Sequence, residues 1–99
     1  MSYDVTVGTK DFNYTSNMGQ FFADFGVHPA ADLDGCTPQD AAMRITNALA
    51  AITDHGLDAL HDVYDAPNGW GNVEGAIQFL MDIYMACITE TDVDAVEAY

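Results

Sequence analysis

Between residues 73 and 88 the apolar side chains Val73, Ala76, Ile77, Leu80, Met81, Tyr84, Cys87 and Ile88 recur at helical spacing. They follow i, i+3, i+4, i+7, i+8, i+11, i+14 and i+15, one wide apolar face with a period of about 3.6 residues. No other stretch of the chain is as strongly periodic. It predicts an amphipathic helix over 73–90, capped at its start by Asn72. A face this wide needs other elements to cover it, so the remaining residues are read for what they can supply.

Upstream, Tyr3, Val5 and Val7 alternate with Asp4 and Thr6, and Phe12 and Tyr14 alternate beyond a Gly8-Thr9-Lys10 turn. Alternation of this kind marks strands, so residues 3–15 read as a β-hairpin. A lone hairpin is marginal in water and must pack on something apolar. Thr15, Ser16 and Asn17 offer N-caps for a short aromatic helix over 17–25, carrying Met18, Phe21, Phe22 and Phe25 and stopped by Gly26. Residues 27–36 read as a loop, with His28-Pro29 and Asp34-Gly35 as turn signals.

Thr37-Pro38-Gln39-Asp40 is a helix start. Thr37 caps, Pro38 takes the first helical position, and Asp40 sits in the first turn near the positive end of the dipole. The helix runs over 38–55 with Ala41, Ile45, Ala48, Leu49 and Ile52 as its buried stripe, and Gly56 ends it. Leu57, Leu60, Val63 and Tyr64 predict a third helix over 57–65. Residues 66–72 form a loop rich in turn formers, and 89–99 is an acidic end that frays or adds a final turn. The expected architecture is α+β: one domain over 1–99, an N-terminal hairpin packed on a small bundle of about four helices.

Charge restricts what such a domain can meet. Sixteen acidic side chains face two basic ones, Lys10 and Arg44, for a net charge of −14 over 99 residues. Hydrophobic residues make up 49% of the chain, too many for a disordered acidic segment. A folded body with this excess repels nucleic acid and membrane surfaces and attracts basic ones. No basic, apolar leader opens the sequence, and the apolar stretch 76–88 contains Gln78 and Asp82 and is too short to span a bilayer. The expected location is cytoplasmic. Cys36 and Cys87 fit no metal spacing and read as two buried thiols rather than a disulfide.

The carboxylates fall into groups. Asp54, Asp58, Asp62 and Asp65 are spaced by four, four and three, a ridge if the second and third helices are nearly continuous. Gly56 limits the secure part to Asp58, Asp62 and Asp65. Asp32, Asp34 and Asp40 surround the start of the second helix, and Glu90, Asp92, Asp94 and Glu97 form a terminal group. Spaced carboxylates on a rigid surface can imitate the phosphates of a nucleic-acid backbone and occupy a cleft whose Lys and Arg bind phosphate. The alternative is a solvated surface set by a proteome-wide bias toward acidity, with which thirteen Asp against three Glu also agrees.

Other chemistry is thinly represented. Asp32-Leu33-Asp34-Gly35 begins like a calcium loop, but its glycine comes too early and no Glu closes it. His61 with Asp58, Asp62 and Asp65 could bind a divalent transition metal, but a surface histidine near carboxylates is the commoner case, and His55, six residues away, is poorly spaced for the same helical face. Ser2 and Ser16 sit in no nucleophile-elbow context. A Cys36–His28 pair is disfavoured because an acidic setting raises a thiol's pKa. Neither enzyme activity nor any cofactor or metal is expected. In Asn68-Gly69-Trp70-Gly71-Asn72 the glycines permit positive φ, and Trp70 either plugs the core or anchors a partner.

Phe12-Asn13-Tyr14-Thr15-Ser16-Asn17, followed by Pro67-Asn68-Gly69-Trp70-Gly71-Asn72 and the helix ending near Ala86-Cys87, resembles a set of small proteins from actinobacteria and their phages. The resemblance spans residues 12–88. It implies a phage or mobile-element setting, with the shared motifs as scaffold and function on the variable surface; the acidity of this chain departs from that set. The combined expectation is a small acidic inhibitor of a basic nucleic-acid-handling protein, an anti-CRISPR or anti-restriction DNA mimic in the host cytoplasm. Its partner-binding residues would be Asp32, Asp34, Asp40, Asp54, Asp58, Asp62, Asp65 and Trp70. Two alternatives stand beside it: an interaction module whose acidity serves solubility, and a small-ligand-sequestering domain with Asn13, Asn17 and Asn68 around a pocket.

Overall fold

The computed structural model describes residues 2–66, 69, 71–90 and 92–98. The hairpin forms as its alternation predicts. β1 (Ser2–Val7) pairs antiparallel with β2 (Lys10–Thr15) in a register running from Ser2↔Thr15 to Val7↔Lys10. Gly8 takes φ +63° at the first central position of the two-residue turn, the demand of a type II′ hairpin. Val5 and Val7 are buried, and the pairs Tyr3↔Tyr14 and Val5↔Phe12 share their face. The opposite face is polar: Asn13 donates to Asp4 at 2.8 Å, and the Thr6 hydroxyl donates to Asp11 at 2.8 Å.

Beyond a tight 3₁₀ turn at Ser16–Met18, α1 (Gly19–Asp24) is shorter than its predicted span. Met18, Phe21 and Phe22 enter the core, while Phe25 stays at its edge. The region read as a loop contains one turn of π-helix, Pro29–Leu33. It forms because His28 Nδ1 accepts from the Ala31 N–H at 3.2 Å and Asp32 accepts from the His28 N–H at 2.9 Å. The turn lets Val27 and Leu33 both be fully buried.

α2 (Pro38–His55) keeps its predicted bounds, with the Thr37 hydroxyl accepting from the Asp40 N–H at 3.2 Å. Gly56, at φ +86°, turns the chain into α3 (Leu57–Tyr64). Leu60 is the buried residue of α3; Leu57 and Val63, read as core, are exposed. α4 (Val73–Thr89) starts where Asn72 accepts from the Gly75 N–H at 2.7 Å.

The face that α4 buries differs from the predicted one. Phe79, Ile83 and Ala86 go inward with Val73, Ala76, Leu80 and Cys87, whereas Met81 and Ile88 point outward. A helix apolar nearly all round leaves its rotation to its neighbours. Here the sheet and α1 decide, because Tyr14 stacks on Phe79 at 5.7 Å and Phe22 of α1 meets the same ring at 5.7 Å.

Over its described residues 92–98 the acidic end adds no helical turn. Val96 is fully buried and exchanges backbone hydrogen bonds with residues 35 and 36 at 2.8 Å, and β3 (Glu97–Ala98) adds to β1. The result is an α+β fold with a three-stranded antiparallel sheet, order β2-β1-β3, against the helices. Its core is apolar throughout: among the described residues no polar or charged side chain is buried. No helix among them is long and apolar enough to cross a membrane.

Candidate functional site

The carboxylates predicted to bind a partner do not form one surface. Asp32 and Asp34 are used internally, Asp32 on the His28 N–H and Asp34 on the Ala98 N–H at 2.9 Å, which ties β3 to the π-turn. Asp40 is exposed in the first turn of α2, and Asp54 is exposed in its last. The turn at Gly56 breaks the imagined ridge between Asp54 and Asp58. Asp58 and Asp62 remain exposed one turn apart on α3. Asp65 leaves the ridge and turns inward. Trp70 and Asn68 lie outside the described residues.

A cleft of about 710 Å³ opens between α1 and α3, bordered by Asn17, Gln20, Asp24, Asp62, Tyr64 and Asp65. Asp24 and Tyr64 were not singled out from sequence, since 40 positions separate them and α1 reads only as an aromatic core helix. The Tyr64 hydroxyl donates to Asp24 at 2.5 Å, and Gln20 donates to the same carboxylate at 2.7 Å. Those two bonds hold the Asp24 carboxyl below its ordinary range, the tyrosine contributing most. The same bond raises the Tyr64 phenol. Tyr64 therefore stays protonated and serves as a hydrogen-bond donor.

His61 lies behind this cleft. Its Nδ1 is 2.6 Å from Asp65 and its Nε2 is 2.9 Å from Glu74. Hydrogen bonds to Asp65 and then Glu74 raise the imidazole above its ordinary value. The cationic form donates from both nitrogens, so neither carries a lone pair for a metal. Asp65 is correspondingly held low, first by His61 and then by the Val73 N–H at 2.9 Å. The Asp65 contact was open to sequence reading, being an i,i+4 spacing; the Glu74 contact across the 65–73 loop carried no sequence signal.

The two motif clusters meet in space. The Tyr14 hydroxyl donates to the Asn72 carbonyl at 3.0 Å and accepts from the Asn72 N–H at 3.1 Å. Gly71, at φ +130°, lies so close to Thr15 that a Cβ there would fall 2.7 Å from the threonine methyl. These contacts join hairpin to helix start and leave the asparagines apart: Asn13 borders a groove on the sheet, Asn17 the α1–α3 cleft. Cys36 is half-buried and donates to the Asp32 carbonyl, not to His28. Cys87 is buried, and that burial, with Cys36 nearby, pushes its thiol up to about 11.

What the cleft offers chemically is the carboxylates of Asp24, Asp62 and Asp65, acceptors matched to cationic groups. No family model, curated protein or solved structure matches the chain.

Proposed function

We propose that the chain is a small acidic binding protein that occupies the cation-lined cleft of a nucleic-acid-handling partner, in the manner of a DNA mimic, within a phage counter-defence setting. One observation carries the reading: the negative charge is uncompensated and held on a folded surface. Among the described residues, ion pairs are confined to His61, and no carboxylate is buried. Exposed carboxylates without local cations gain most from an external array of Lys and Arg, which displaces their counterions. The surface best suited to this is α3, where Asp58 and Asp62 stand exposed and Asp62 borders the cleft of Asp24. A partner guanidinium can enter that cleft and share the Asp24 carboxylate.

The test is capture of proteins from an actinobacterial host lysate at low salt, eluted by a sodium chloride gradient with and without competing duplex DNA. The expected partner is a nucleic-acid-binding protein that elutes early, is displaced by DNA, and is lost when Asp58 and Asp62 are both changed to Lys. Retention that is flat across the gradient and indifferent to duplex and charge reversal overturns the reading. Loss of capture on Trp70→Ala alone, with Asp58→Lys and Asp62→Lys tolerated, establishes the interaction-module alternative instead.

A further inference from the structure

Fifteen of the sixteen carboxylates lie outside two stretches, 41–53 of α2 and 75–88 of α4; inside them Asp82 is the lone carboxylate and Arg44 the lone cation. These are the two longest helices, and they pack side by side. They run antiparallel, since Pro38 and Ala42 near the start of α2 face Cys87 and Ile88 at the end of α4 across a groove of about 660 Å³. The outer surface of this pair is thus a nearly charge-free strip on a strongly anionic body.

The strip has a pattern. On α4 its outward residues are Ile77, Met81, Tyr84 and Ile88, spaced four, three and four. Ile77 and Tyr84 are half-buried, while Met81 and Ile88 are 45% and 55% exposed. On α2 the corresponding edge is Ala42, Thr46, Leu49 and Thr53, again four, three and four. The hydroxyls of Thr46 and Thr53 donate back to the Ala42 and Leu49 carbonyls at 2.9 Å, so their polarity is spent within the helix. Four-three-four spacing is that of a helix–helix seam. One seam is large and the other small.

We propose that this face is where two copies of the chain meet, in an isologous dimer that lays the large α4 seam of each copy on the small α2 seam of its mate. Three arguments select a second copy as the occupant. Large residues facing small ones interdigitate, and a two-fold axis supplies that match to both copies at once. Along its length the strip carries Asp82 as its lone carboxylate, with Glu90 and Asp92 bordering its end at Ala42 and Ile88; it is too sparse in charge to recruit a basic partner, and two anionic bodies approach on it with little repulsion. Its size also suffices: helices of 18 and 17 residues offer a face about 25 Å by 20 Å. Two such faces bury about 1,000 Å², the lower limit of a specific interface. The product is a four-helix layer with the two sheets on its outer sides.

Salt gives this dimer a distinctive response. Screening the mutual repulsion tightens it, the reverse of the partner binding proposed above, so the two ideas fail separately. Sedimentation velocity at about 100 µM protein and above, in about 0.02 M and about 0.5 M sodium chloride, is the measurement. The expected result is a shift from monomer toward twice the monomer mass as protein and salt rise. Met81→Glu and Thr46→Glu, both at exposed positions, each bury an unpaired charge in the seam and weaken the dimer at least about 100-fold, with unchanged circular dichroism. Val63→Glu, on α3 at a position 72% exposed, dimerises like the wild type. The proposal is overturned by a monomer under all conditions, by a dimer that survives both seam variants, or by equal loss with Val63→Glu.

Discussion

His61 shows how one side chain can be assigned a role that its neighbours in sequence do not reveal. Both ring nitrogens face carboxylate oxygens, and the Asp65 carboxylate also receives the Val73 N–H. The imidazolium therefore clasps the end of α3 to the start of α4. Its folded-state pKa is raised, so its stabilising effect is complete below about 6.5 and is lost as pH rises through the folded value. Asp24, Asp65 and Glu90 act oppositely. Each is lowered by hydrogen bonding, Glu90 chiefly by the Thr9 hydroxyl at 2.6 Å. Their contribution is complete above about 4 and is lost as pH falls through their folded values. The melting temperature is accordingly greatest between about pH 4 and 6.5. A His61→Gln variant should melt below the wild type in that window and converge with it toward alkaline pH. A gap between the two that stays constant with pH would show that the clasp is not proton-dependent. At this scale the caps were legible: Thr37 and Asn72 act locally, within three residues of the amides they serve. The Asp24–Tyr64 and His61–Glu74 contacts were not, because the chain's path alone brings those groups together.

α4 illustrates the same division among elements. Its existence and bounds follow from periodicity and a cap, but its rotation does not, because apolar residues lie on two of its faces. The sheet and α1 take the face containing Phe79 and Ile83 through the ring contacts of Phe22 and Tyr14. Replacing fully buried Ile83 by Ala should cost about 2–5 kcal/mol. Met81→Ala, on the outward face, should change stability by no more than about 0.5 kcal/mol when unfolding is measured in low salt on dilute protein, where the chain is monomeric. A greater loss at Met81 than at Ile83 would mean that the sequence-predicted face is the buried one. The C-terminal strand went unread for a related reason. Val96 is the one fully buried residue there, with Val93 and Ala98 half-buried against the core, and so short an apolar set interrupted by carboxylates has no clear period. What holds it is backbone pairing with residues 35 and 36 and with β1.

For the molecule as a whole, charge and fold are linked by where carboxylates can go. With one Lys, one Arg and three His against sixteen carboxylates, ion pairing is too scarce to offset the desolvation of buried carboxylates, and the core is apolar. The remaining self-repulsion lowers stability, and salt relieves it within a Debye length of about 10 Å at 0.1 M. The melting temperature should therefore rise between about 0.01 M and 0.2 M sodium chloride, and it should do so in the monomeric Met81→Glu variant too, where dimer formation adds nothing. A melting temperature indifferent to salt would indicate that the carboxylates are too dispersed to repel one another. From sequence alone follow the α+β class, the hairpin, the starts and stops of α2, α3 and α4, and the net field, because each depends on local spacing, local hydrogen bonding or a simple sum of charges. The tertiary structure decided which face of α4 is covered, that the acidic end becomes a strand, and which carboxylates are free. Asp32, Asp34 and Asp65 are taken up by backbone amides and a histidine, while Asp54, Asp58 and Asp62 remain open to solvent. Those outcomes depend on residues distant in the chain competing for the same atoms, and that competition is settled only when the whole chain is folded.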